Sequence, residues 1–150
     1  MKKRAFLFVI FFVFLFLMML SLSGCEFRDQ ERDREKVFKI VTENEAMLRE
    51  CVASSDYSNA QQIEGIESIY SGKDAVDFSC GGYGFGSSTA YYGFCYVAEN
   101  DYYKITFAPY KGQAGTVVDG NRISYKEKDG DNEWNAEMIV DGFWYYDASF

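Results

Sequence analysis

The side chains with chemical range in this 150-residue chain are its four cysteines, at positions 25, 51, 80 and 95, and a scatter of carboxylates; there is no histidine. Without histidine the usual general base near neutral pH is missing, which excludes Ser-His-Asp and Cys-His sites. The commonest zinc ligand is missing too. Asp77, Glu99, Asp101 and Asp147 are the strand-end carboxylates from which a glycosidase-like pair would be drawn, but their spacing singles out no pair. Asp129, Asp131, Asn132 and Glu133 offer oxygen ligands in one short loop. The Asp-x-Asp-x-Asp-Gly order of a calcium loop is absent, so the segment reads as a turn. No metal and no cofactor are expected.

Gly81-Gly82-Tyr83-Gly84-Phe85-Gly86 is the most unusual local run. Phosphate-cradling glycine loops lead into a helix, whereas here Ser87-Ser88 and a strand-like segment follow, which argues against a nucleotide site. Two readings stand: a plain hairpin tip, or a binding loop that presents Tyr83 and Phe85 with Tyr91 and Tyr92 at its foot. Cys80 and Cys95 lie symmetrically about Ser87-Ser88. If that is a hairpin tip they face each other, and a cross-strand disulfide is expected. Pairing of Cys51 with either one, or three reduced thiols in the core, are the alternatives.

Around these residues the sequence sets out one helix and many strands. Arg34 to Val52 has Val37, Ile40, Val41, Met47, Leu48, Cys51 and Val52 on one face at helical spacing, with Lys36, Lys39, Glu43 and Glu50 opposite. Asn44 falls within the apolar stripe and is expected to be a hydrogen-bonded core polar group. Strands are expected at Ile66–Tyr70, Val76–Cys80, Tyr91–Val97 and Tyr102–Phe107. Three Asp-Gly steps, at 119, 129 and 141, then divide a meander of Gly115–Val118, Arg122–Lys126, Glu133–Val140 and Phe143–Phe150. In the last hairpin Val140 should face Phe143, and Ile139 should face Trp144. The expected class is α+β: one N-terminal amphipathic helix packed on a curved antiparallel meander of about six or seven strands. One helix is too narrow for such a sheet, so the sheet must curl or leave part of a face exposed.

The front end has a different character. Lys2, Lys3 and Arg4 precede an uncharged apolar run from Ala5 to Leu22. That order fits a secretory signal, although the run is long enough to be a retained membrane helix. Leu22-Ser23-Gly24-Cys25 decides between them, because it resembles the lipobox of bacterial lipoproteins. The resemblance implies cleavage after residue 24 and acylation of Cys25. The expected organisation is therefore a signal at 1–24, a lipidated cysteine and charged tether at 25–33, and one extracytoplasmic domain at 34–150. Two or three acyl chains make a stable anchor, since each buried methylene adds roughly 0.8 kcal/mol.

The signal holds three of the 15 basic residues and none of the 23 acidic ones, so residues 25–150 carry 12 basic against 23 acidic side chains. This balance argues against nucleic acid and favours a cationic partner. The segments VDFSCGGYGFGSSTAYYGFCY (76–96) and FWYYDASF (143–150) resemble stretches of small uncharacterised lipoproteins of Gram-positive bacteria. The resemblance implies lipidation and a cell-surface address, and brings no activity or site residues. The expected function is that of a non-catalytic binding or envelope-associated module on the outer side of the cell membrane, held there through Cys25. Its ligand would be a protein, a peptide or a cell-wall component. An inhibitor or immunity-type protein that binds a basic partner is the alternative, and a carboxylate-based hydrolase the outsider.

Overall fold

The computed structural model describes residues 29–85 and 88–150, with the Phe85 side chain left out. The expected signal and Cys25 lie outside the described residues.

Helix α1 spans Gln30–Ser54. It starts four residues before the expected Arg34, which shortens the expected tether. The cause is a cap: Asp29 accepts a hydrogen bond from the Arg32 amide at 3.2 Å, and Glu31 and Asp33 place acids in the first turn. These satisfy an otherwise unpaired donor and complement the positive end of the helix. Ser55, in the left-handed region at φ 57°, closes the other end. The buried stripe is Val37, Ile40, Val41, Leu48 and Cys51, with Met47 and Val52 packed at its margin. Asn44 donates to the Ile40 carbonyl and so satisfies itself within the helix.

Seven strands follow: β1 Ser68–Ser71, β2 Ala75–Phe85, β3 Ser88–Val97, β4 Thr116–Asp119, β5 Arg122–Lys126, β6 Glu133–Val140 and β7 Phe143–Ser149. They form one antiparallel sheet in the order β1-β2-β3-β7-β6-β5-β4. The molecule is thus α+β, with the sheet dominant. It is not one continuous meander. β1–β3 and β4–β7 are two meanders, joined where the last strand adds to β3 and becomes the middle of the sheet. Val140 faces Phe143 as expected, but a bulge puts Met138, not Ile139, opposite Trp144. Glycine makes the 119–120 and 141–142 turns at φ 57° and 80°, the positive region that side chains disfavour. The third Asp-Gly step sits in a longer loop, and Gly130 does not take a positive φ.

The expected strand at Tyr102–Phe107 is not formed. Two 3-10 turns, Ala98–Asn100 and Tyr102–Lys104, replace it. Glu99 and Asn100 turn through positive φ, and the Asp101 carboxylate accepts from the Tyr103 amide. The apolar residues that suggested a strand serve as a lid instead. Ile105, Tyr102 and Ala108 pack on the sheet face opposite α1, over Cys95, Ile123, Trp134, Trp144, Tyr146 and Ala148. The Thr106 carbonyl there accepts from the Trp134 indole at 3.0 Å. α1 therefore packs on part of one face, against β3, β6 and β7, and the 98–115 connection packs on the other. On the helix side Phe78 stacks on Phe94 at 4.5 Å with the rings nearly parallel, and Phe143 closes against both Phe94 and Tyr96.

Candidate functional site

The cysteines are the first candidates, and the expected bridge is not there. Cys51, Cys80 and Cys95 are free and buried. The hairpin pairs Phe85 with Ser88, two residues off the symmetry about Ser87-Ser88, and a bulge in β2 between Ser79 and Gly81 shifts the register by one more, so Cys95 comes opposite Asp77 rather than Cys80. Cys80 points into the helix-side core and Cys95 into the other. Side chains on opposite faces of a sheet do not bond, whatever their spacing along a hairpin. Burial pushes both thiols up to about 12, so they stay protonated and are poor nucleophiles.

The four aromatic residues proposed for a binding loop are divided by the sheet. Tyr83 and Tyr92 lie on the helix side and stack at 5.8 Å. The Tyr83 hydroxyl donates to Asp33 Oδ1 at 3.0 Å, and Asp33 is 3% exposed. Burial, with the Asp33 charge second, pushes the Tyr92 phenol well above its ordinary range. Tyr91 points the other way, where its ring stacks with Phe107 at 5.4 Å and meets Phe150 at 6.5 Å. The Phe85 side chain lies outside the described residues.

The strand-end carboxylates do not converge either. Asp77 stands on the face away from α1, against the Tyr146 and Thr106 hydroxyls. Burial raises its carboxyl above the usual range, and those two hydroxyls partly offset the rise. Asp147 stands on the helix face, 6% exposed, and accepts from Gln30 (3.3 Å), Asn135 (3.3 Å) and Tyr145 (3.2 Å). Glu99 and Asp101 belong to the surface turn after β3. The Asp129–Glu133 loop is closed by the Glu127 amide on the Asn132 carbonyl. Among the described residues no group of three or more His, Cys, Asp or Glu side chains is placed to hold a metal ion.

One feature escaped the sequence. Helix α1 contacts β3, β6 and β7, and β4 and β5 extend past it. Between the helix start and this overhang runs a groove of about 400 Å³. Its floor carries an ion-pair network. Arg34 binds Glu137 through two donors, Nε to Oε2 at 2.8 Å and Nη2 to Oε1 at 3.0 Å. Arg122 reaches Glu137 Oε1 from the other side at 3.1 Å. The Arg34 hydrogen bond is the main cause of a Glu137 carboxyl held below its usual range. Glu31, Asp119 and Asp147 also line the groove, making four acids against two arginines. The walls belong to a helix and to paired strands, so the charges stand on rigid elements. Arg34 lies 103 residues from Glu137 in sequence, and no local spacing pattern links them.

Comparison with family models, with curated proteins and with solved structures gives no match for this chain.

Proposed function

We propose that this chain is a lipid-anchored, extracytoplasmic binding module without catalysis, released from residues 1–24 and acylated at Cys25. On this reading the groove between α1 and β4–β5 is its ligand-contacting surface. The basic start, apolar run and Leu22-Ser23-Gly24-Cys25 box support the anchor. The observation that carries the binding role is the groove itself, a concavity that the helix leaves uncovered and that holds an excess of acids on fixed elements. Thiols that stay protonated, and Asp77 and Asp147 on opposite sheet faces, support a non-catalytic role.

The acid excess favours a cationic ligand, such as a lysine-rich segment of a protein or peptide. A second reading, an inhibitor or immunity-type protein against a basic target, draws on the same excess and on the 12 basic against 23 acidic side chains of residues 25–150.

Two measurements test the proposal. The intact mass of the native protein should begin at Cys25 and include acyl chains; a full-length unacylated mass refutes the anchor. Titration with oligolysine should show binding that weakens as salt is raised. The paired Glu31→Gln and Asp119→Asn substitutions, both at exposed positions, should weaken it further. Binding that ignores these two substitutions would remove the groove from the proposal.

A further inference from the structure

The pairing register fixes which features share one end of the molecule. Thr89 and Phe150 exchange backbone hydrogen bonds, Ser149 pairs with Glu133, and Glu133 pairs with Lys126. The Lys126 amide donates to the Gly115 carbonyl, which brings in the 107–115 loop. The start of α1 lies at this same end, since Gln30 donates to Asp147 and Asp33 accepts from Tyr83. The other end holds the 120–121 and 141–142 turns and the close of the helix, where Arg49 donates to the Asp141 carbonyl.

The first end is also where exposed aromatic side chains gather. Tyr91 is 39% exposed, Phe107 45%, Tyr110 86% and Phe150 37%. Three of them form a contiguous patch: Phe107 meets Tyr91 at 5.4 Å and Phe150 at 5.3 Å. Phe107 is held there at φ 62°, a conformation that residues with a side chain rarely take. Tyr110 extends from the same loop, its amide tied to Gln113, which in turn donates to the Tyr125 hydroxyl. Lys111 follows it, exposed. The remaining exposed large apolar residues, Tyr70, Val117 and Val118, are dispersed on the outer strands β1 and β4.

We infer that this aromatic end is a membrane-contacting surface, and that the domain stands on the bilayer with Tyr91, Phe107, Tyr110 and Phe150 at the headgroup level. The inference rests on acylation of Cys25. Four peptide units separate Cys25 from the capping Asp29, so the helix start is held within about 14 Å of the acylated residue. The helix itself is 25 residues long, or about 37 Å, so its far end cannot share that constraint if the domain stands upright. The chain therefore delivers the aromatic end to the lipid, with Asp131 and Glu133 beside Phe150 and Ser149 left to the water side of the rings. Tyrosine and phenylalanine rings beside a lysine suit the boundary between acyl chains and headgroups, where an apolar body and a polar tip are both satisfied. A patch of this kind would otherwise be exposed to water without compensation.

The test uses the full lipidated protein on vesicles of phosphatidylethanolamine and phosphatidylglycerol with brominated acyl chains. Tyr110→Cys or Lys111→Cys at this end, and Asn121→Cys at the other, each take a thiol-reactive environment-sensitive dye. The buried Cys51, Cys80 and Cys95 and the acylated Cys25 leave the new thiol as the labelling site. The expected result is a blue shift and loss of emission at 110 and 111, with neither change at 121. Flotation of the protein with the vesicles is read in the same sample. Protein that floats, with dyes at 110 and 111 as wet as at 121, overturns the orientation and leaves the anchor standing. Protein that does not float overturns the anchor and the orientation together.

Discussion

Tyr83→Phe separates a structural role for the glycine-rich hairpin from a binding role. The substitution keeps the ring, and with it the 5.8 Å stack on Tyr92, and removes only the hydroxyl. That hydroxyl is the hydrogen-bond donor to Asp33 Oδ1 at 3.0 Å, and Asp33 Oδ2 is buried with no hydrogen-bond partner among the described residues. The variant leaves a carboxylate that is 3% exposed without its tyrosine donor. A hydrogen bond to a charged group contributes about 1.5–3 kcal/mol, and orphaning a buried acceptor costs a similar amount. Tyr83 is itself half-buried, so water recovers part of the loss, and about 2 kcal/mol is expected. In urea that is a fall of about 1 M in midpoint at unchanged slope, given a slope of about 2 kcal/mol per molar. A double-mutant cycle with Asp33→Asn should show coupling of the same order. A Tyr83→Phe protein within about 0.5 kcal/mol of the parent, the range of an ordinary surface substitution, would refute the claim that this bond fastens the helix start to the hairpin.

Three further outcomes follow from the same structure. Glu137→Gln should cost about 1–3 kcal/mol at pH 7, between the exposed and buried limits for ion pairs. Because Arg34 lowers the folded-state value of Glu137, this stability is present above the unfolded glutamate range and lost as pH falls through the folded value, so urea melts of the variant should show less acid loss than the parent. Deleting residues 143–150 removes the middle strand and should abolish cooperative unfolding, seen as loss of near-UV circular dichroism; a folded remnant would contradict the sheet order. Cys51, Cys80 and Cys95 should resist alkylation in the native protein and all react in urea without reductant, whereas protection of two in urea would indicate a bridge.

Local features were well marked in the chain. The stripe from Val37 to Cys51 has the helical period, and Val140 meets Phe143 across Asp141-Gly142 because a two-residue turn sets its own register. The helix start was misplaced because Asp29 looks like part of a charged tether until Tyr83, fifty residues away, is seen to bury Asp33. The Tyr102–Phe107 segment has strand composition, but its apolar side chains are spent on covering the second sheet face.

Pattern alone therefore determined the class, the amphipathic helix and most of the strands, since each is written in residues close together in the chain. Tertiary structure decided the rest. The hairpin register, with Phe85 opposite Ser88, already takes Cys80 out of line with Cys95, and the extra residue at the β2 bulge moves its side chain to the other face, because one residue is half a strand period. The placement of β7 beside β3 creates the middle of the sheet, and the width of one helix leaves the Arg34–Glu137–Arg122 groove open. Contacts between residues a hundred positions apart leave no local period to read, and they exist only once the sheet has chosen its order.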